Sequence, residues 1–450
     1  MRPPTARLLA VVTAVGLLAA CTSASSPAAG GSGAQGPGGT GGTTGAAPTF
    51  DATAPVTITV WHGQSADAAK VMADLAAAYT KLHPNVTVKV TAGAGNTDDL
   101  KQKIAAGFVS DTFPDVSYIY GSWAGELAGS GHVLDVSEWV KDPKVGWDEL
   151  PEASRKTATV DGKVFAVPAI VGNLALIYNK KVFDDAGVAY PTDDWSWDDF
   201  RAAAKKLTNP AKKIFGTAYS VAGNEDTTWH LWPLLWQKGG TILSDDGKSA
   251  AFNSDAGVQS LDFLRAMAVD DKSMYLDQTG EKYGPLFLDG RIAMQISGPW
   301  NLYDFGQRKL AYGVVRLPGF DGDHQTISGT DVWALFDHHD GNRAHAAFDF
   351  TQWLTQPDQD AVWNVGLGNL PLRASEKTTA AFAQFVKDYP GGPAFVDNLA
   401  NAKQPRPTVP GYDAMSRAVG EQIAKVLQGV ESSKDALDVA AAASADALGG

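Results

Sequence analysis

The run Val56-Thr57-Ile58-Thr59-Val60 alternates apolar and polar side chains, which predicts a half-buried strand. The period then changes. Val71, Leu75, Ala78, Tyr79 and Leu82 recur at helical spacing until Pro84-Asn85 ends the run, and Val86-Thr87-Val88-Lys89-Val90 alternates again. Strand, helix and strand in so short a span form a right-handed βαβ unit with parallel strands. A second helix, Asp98 to Gly107, leads to a third strand at Pro114-Asp115-Val116-Ser117-Tyr118. Farther on, Ala175-Leu176-Ile177-Tyr178 reads as a strand, Ser196 to Leu207 as an N-capped helix, and Val258 to Val269 as another helix. Arg291-Ile292-Ala293-Met294-Gln295-Ile296 reads as a buried strand closed by Gly298-Pro299. No internal repeat stands out, and the predicted fold class is α/β.

Before this pattern begins, Arg2 and Arg7 give a positive start, Leu8 to Leu18 an apolar core too short to span a bilayer, and small residues follow. Residues 1–20 therefore read as a secretory signal peptide. Its end, Leu18-Ala19-Ala20-Cys21, resembles the bacterial lipobox, which implies that Cys21, the only cysteine, becomes the first residue and carries lipid. A single acyl chain binds membranes only marginally, so stable anchoring needs several, palmitate included. Residues 21–53 are almost wholly Gly, Ala, Ser, Thr and Pro and cannot bury enough surface to offset their ordering entropy. They read as a flexible tether reaching roughly 30 Å from the membrane.

Composition narrows the function. A chain of 450 residues is too long for one compact core and predicts two lobes. The formal charge of −13 becomes −15 once Arg2 and Arg7 leave with the leader, so the basic surface that nucleic acid requires is missing. After the leader no apolar stretch is long enough to cross a bilayer, and membrane association rests on Cys21 alone. His338-His339 lies among Asp337, Asp340, Gly341 and Asn342, which is turn chemistry, and predicts a solvated loop and no metal site. No nucleophile elbow, phosphate-binding loop or dinucleotide fingerprint is present, and no cofactor is expected. The paired carboxylates of a glycosidase would be assembled only by folding, so that class stays open.

Aromatic residues carry more information. Trp229, Trp232 and Trp236 fall at helical spacing on one face; Trp232 and Trp236 suit a core stripe, while Trp229, after Gly223-Asn224-Glu225-Asp226, is expected to be exposed. Trp300 follows a predicted strand end, where open α/β sheets place ligands. Trp61, His62 and Gln64 likewise close the first strand ahead of a helix. Flat rings among Asn, Asp, Gln and Arg suit a sugar, whose C–H faces stack on rings while its hydroxyls need fixed donors and acceptors.

Over nearly its whole mature length the chain resembles the family 1 extracellular solute-binding proteins of ABC importers. The landmarks are Trp61-His62-Gly63, Pro114-Asp115-Val116, Val167-Pro168, Leu176-Ile177-Tyr178-Asn179-Lys180, Trp232-Pro233-Leu234, Phe287 through Gly290-Arg291 to Gly298-Pro299-Trp300, and Leu317-Pro318-Gly319. Pro405-Arg406-Pro407, Pro410-Gly411-Tyr412 and Ala436-Leu437 resemble the family's closing helices.

The resemblance implies a periplasmic-binding-protein-like pair of lobes, 54–170 with 320–370 and 171–319 with 371–450, closing by a hinge on a ligand. It implies a carbohydrate ligand, permease subunits as partners, a monomer anchored at the extracytoplasmic face of the cell membrane, and no catalysis. By position it assigns ligand contacts to Trp61, His62, Gln64, Tyr120, Ser122, Asn173, Trp229, Trp300, Gly329, Asp331 and Arg406. Gly172 and Asn173 stand where maltose-type members use a carboxylate, a departure from that pattern. Alternatives are a glycerol phosphate or glycerophosphodiester, with Arg406 or Arg373 supplying charge, an exported glycoside hydrolase, or an adhesive surface protein.

Overall fold

The computed structural model of this chain describes residues 51–64, 66–94 and 97–449. The leader, Cys21 and nearly all of the expected tether lie outside the described residues.

The opening alternation becomes β1 (Val56–His62), α1 (Ala66–Leu82), β2 (Val86–Ala92), α2 (Thr97–Ser110) and β3 (Val116–Tyr120). β1 lies parallel to both β2 and β3, Val56 opposite Val86 and Val60 opposite Val116. Period two sorts the side chains of β1. Ile58, Val60 and His62 face the apolar stripe of α1, where Met72, Leu75 and Tyr79 are buried, while Trp61 faces the opposite layer with Leu100 and Ile104 of α2. β4 (Ala166–Ile170) completes this sheet.

Residues 171–174 then lead out of it into β5 (Ala175–Asn179). α3 (Trp197–Leu207) starts at Ser196, whose hydroxyl accepts from Asp199 N–H while the Asp199 carboxylate accepts from Ser196 N–H, a reciprocal capping box. β6 (Thr217–Ser220) is followed by α4 (Glu225–Trp229), capped by the Asn224 side chain, and α5 (Trp232–Gln237). The three indoles expected on one helix therefore lie on two, separated at His230-Leu231, with Pro233 in the first turn of the second. Next come α6 (Asp255–Arg265), β7 (Met274–Asp277), β8 (Met294–Ser297) and β9 (Tyr312–Val315). β8 starts later than its apolar run suggests, because Arg291 to Ala293 bond instead to Phe215.

β10 (Thr326–Ser328) precedes β11 (Asp331–Leu335), which returns to the first sheet between β3 and β4 and antiparallel to both. That sheet has the order β2-β1-β3-β11-β4, and a separate antiparallel sheet has the order β8-β5-β9. Such an order needs the chain to pass between sheets more than once, at 171–174 and again at 316–325. α7 (Gly341–Leu354) follows, and β12 (Ala402–Pro405) pairs with β10. α8 (Tyr412–Leu427) and α9 (Ser433–Gly449) bury Met415, Val419, Ile423, Leu437 and Ala440 in the core shared with α3, α5 and α6. The fold is α/β, as the sequence pattern predicts. Among the described residues no helix is long and apolar enough to cross a membrane.

Candidate functional site

The site is built where the ends of β3, β8, β10 and β11 approach α4 and the segment after β12. Its centre is Arg406, only 8 % exposed. A guanidinium so deep must be matched by charge and hydrogen bonds or it costs several kcal/mol, roughly, in lost hydration. It is matched from two sides. Nη2 lies 3.3 Å from Asp331 Oδ1 and donates to the Thr330 carbonyl at 3.4 Å, while Nη1 lies 3.6 Å from Glu225 Oε1. Asp331 opens β11 of the five-stranded sheet, and Glu225 opens α4, which packs on α8. One cation thus ties two parts of the fold together.

Both carboxyls are further held. Asp331 Oδ2 accepts from the Tyr118 hydroxyl at 2.6 Å and Oδ1 from Gly121 N–H at 3.4 Å. Glu225 accepts from the Tyr412 hydroxyl at 3.2 Å and from Ser416, and Tyr412 in turn accepts from Trp232 Nε1 at 2.9 Å. Burial raises the pKa of both carboxyls, and Arg406 opposes that rise. Burial of Tyr118 and Tyr412 beside these charges keeps both phenols protonated as donors.

Aromatic rings adjoin this cluster. The Arg406 guanidinium lies 5.3 Å from the centre of the Trp229 ring, and Trp229 lies 5.8 Å from Trp300 at an interplanar angle of 31°. Trp229 is 7 % exposed and Trp300 42 %, so Trp300 offers the open face. The expectation of an exposed Trp229 is thereby corrected, because Arg406 and Trp300 cover its ring. Two glycines make the approach possible. A Cβ on Gly329 would stand 3.0 Å from the Trp229 ring, and one on Gly298 would collide with the Trp300 ring at 1.9 Å.

The structure brings together Trp229, Trp300, Gly329, Asp331 and Arg406. Tyr120 is half-buried, 5.0 Å from Trp123. Ser122 is buried, and its hydroxyl has no hydrogen-bond partner among the described residues. Gln64 lies beside Tyr118, whose hydroxyl donates to Asp331. His62 is buried, its Nδ1 accepts from Gln64 N–H at 3.2 Å, and burial lowers its pKa.

Two residues are turned elsewhere. Trp61 packs toward α2, with Lys103 Nζ 4.4 Å from its ring centre. Asn173 is fully buried, donating to the Phe395 carbonyl at 2.9 Å and accepting from Asn398 at 2.7 Å. Its amide therefore ties the chain between β4 and β5 to the segment 395–398. Arg373 is likewise committed, donating to the carbonyls of Thr355, Gly146 and Val145 at 3.2, 3.0 and 3.1 Å. His338 stacks on Phe113 at 4.1 Å, so only His339 of that pair is solvated. Among the described residues no group of three metal-ligating side chains lies together.

Sequence reading missed Glu225, Tyr118 and Tyr412 as members of this cluster. Glu225 lies 181 positions before Arg406, and no spacing rule links such residues.

A family model for the bacterial extracellular solute-binding protein matches residues 62–361. A binding protein of Brucella abortus is 26 % identical over 78 % of this chain and 83 % of its own length. The sn-glycerol-3-phosphate-binding periplasmic protein of Yersinia enterocolitica is 25 % identical over 87 % of this chain and 92 % of its own. Among solved structures, the cyclic α-maltosyl-1,6-maltose binding protein of Arthrobacter globiformis superimposes with a TM-score of 0.75 at 28 % identity, covering 88 % of this chain and 99 % of that one.

Proposed function

We propose that this chain, which belongs to the bacterial extracellular solute-binding protein family, captures a neutral mono- or oligosaccharide and passes it unaltered to the permease of an ABC importer. The observation that carries the choice of ligand is the pairing of an open indole, Trp300, with a guanidinium already matched by two carboxyls. An open indole stacks on the C–H face of a pyranose, while carboxylates and phenols exchange hydrogen bonds with its hydroxyls. A phosphate would require an unmatched cation, and Arg406 faces Glu225 and Asp331 while Arg373 is held by backbone carbonyls. The Arthrobacter relative, named for a cyclic maltosyl-maltose, supports the sugar assignment; the Yersinia relative, named for sn-glycerol 3-phosphate, is the reason to test phosphate directly.

In this reading the five-stranded sheet and the three-stranded sheet belong to two lobes, 54–170 with 320–370 and 171–319 with 371–450, and the guest is enclosed between them at a hinge. The ligand's affinity arises from its preference for the closed form. The protein is a monomer held at the outer face of the cell membrane by lipid on Cys21. Replacing Cys21 by Ser should release it from membranes and leave ligand affinity unchanged, and sedimentation with membranes after that change would refute the anchor.

The test is a thermal-shift screen over mono- and oligosaccharides, polyols, sn-glycerol 3-phosphate and glycerophosphodiesters. The expected result is a rise in Tm with neutral sugars and none with the phosphates. A rise with the phosphates alone would replace the sugar by a glycerol phosphate, and cleavage of an oligosaccharide would make the protein a hydrolase.

A further inference from the structure

Behind the Trp229 wall the second sheet parts. Phe215 forms a parallel bridge with Ile292, and Met294 N–H bonds the Gly216 carbonyl at 3.0 Å, so β6 begins alongside β8. From there β6 turns to pair with β7 while β8 pairs with β5. The seam between them is a chamber of about 30 Å³, lined by Ser220 of β6, Gln295 of β8, Asp226 and His230, with Trp197 and Leu264 as apolar walls. One water needs on the order of 10–15 Å³, so the chamber holds about two water-sized groups.

α4 is the partition between this chamber and the site. Glu225 and Trp229, one helical turn apart, face Arg406, whereas Asp226 and His230, also one turn apart, line the chamber. Gln295 is 1 % exposed, and neither its amide nitrogen nor its amide oxygen has a partner among the described residues. The Ser220 hydroxyl is buried and equally unpartnered. Native proteins rarely leave such groups unmet, because each costs as much as a lost hydrogen bond. A guest for these atoms must donate to one amide atom and accept from the other. A hydroxyl does both, and a bare cation or anion does only one.

We propose that this chamber is a hydration site in which trapped water bridges Gln295 and Ser220.

The experiment is a double-mutant cycle on the full chain by thermal unfolding without sugar, using Ser220→Ala, Gln295→Leu and the pair. Each single change should lower Tm, and the pair should lose less than the sum, because both remove the same bridging guest. Additive losses, or a Tm that rises in Gln295→Leu, would overturn the proposal, since an amide buried without a guest is relieved by an apolar side chain of similar size. Should Gln295→Leu fail to fold, Gln295→Met takes its place in the cycle.

Discussion

Two buried arginines, each with two carboxyl groups nearby, are used in opposite ways. Around Arg373 the guanidinium is held by backbone carbonyls, and the carboxyls of Asp360 and Glu376 lie against each other. Burial and the neighbouring Asp360 push Glu376 up to about 9, so that pair shares a proton. Asp360 is fixed by Asn364 at 2.5 Å and by Leu372 N–H at 3.1 Å, and Glu376 by Arg373 N–H at 2.9 Å. The guanidinium and both carboxyls there are answered from within the chain. Around Arg406 the carboxyls instead flank the guanidinium, come from distant parts of the fold, and adjoin a half-open indole. The first cluster staples the chain; the second, in the proposed function, exchanges hydrogen bonds with a guest.

The largest effect expected from breaking this contrast is Arg406→Met. It leaves Glu225 and Asp331 buried without their cation and should destabilise the fold by about 3 to 5 kcal/mol, read by urea unfolding. A loss within 1 kcal/mol, roughly, would mean that the carboxyls do not depend on Arg406. Next is Trp300→Ala, which should weaken sugar binding by about 1.5 to 4 kcal/mol in titration calorimetry with little change in Tm, because the ring is already partly in solvent. Unchanged affinity would remove Trp300 from the site.

Glu225→Gln sharpens the charge side of the comparison. It removes one of the two charges matching Arg406, so a rise in Tm with sn-glycerol 3-phosphate, expected to be absent in the unmodified chain, should appear in the variant. No gain would show that the cluster's charge does not set selectivity.

The smallest effect concerns pH at the stapling cluster. The folded pKa of Glu376 lies above its ordinary value of 4.5, so its protonated form is favoured by folding. Its contribution is complete below about 4.5 and declines as the pH rises toward about 9. Glu376→Gln, which carries a fixed donor in place of the acid proton, should lose less Tm between pH 5 and 9 than the unmodified protein. Parallel Tm curves would show that the proton is not shared.

Much of the first sheet was legible because period and punctuation agree there. The alternation of residues 56–60 and 86–90, the stripe from Val71 to Leu82 and the stop at Pro84 each point to one answer. Helix starts were legible where a cap supplies its own chemistry, as at Ser196. The alternation also fixed that Trp61 and His62 face opposite layers, yet the expectation of a shared loop site put them together. Trp229 was not legible as a covered ring, since its cover comes from residues 71 and 177 positions away. Asn173 was mistaken for a free amide because its partners, Phe395 and Asn398, lie on a segment with no sequence relation to it.

By itself the sequence determined the α/β class and several of the strands and helices, among them β1, α1, β2 and α3. These depend on neighbours in the chain, on periods of two and 3.6, or on composition. Tertiary structure alone decided which buried arginine faces the site, which indole is open, and which carboxyls share a cation and which a proton. Those properties depend on desolvation and on distances between side chains hundreds of residues apart, and both arise only when the sheets and helices pack.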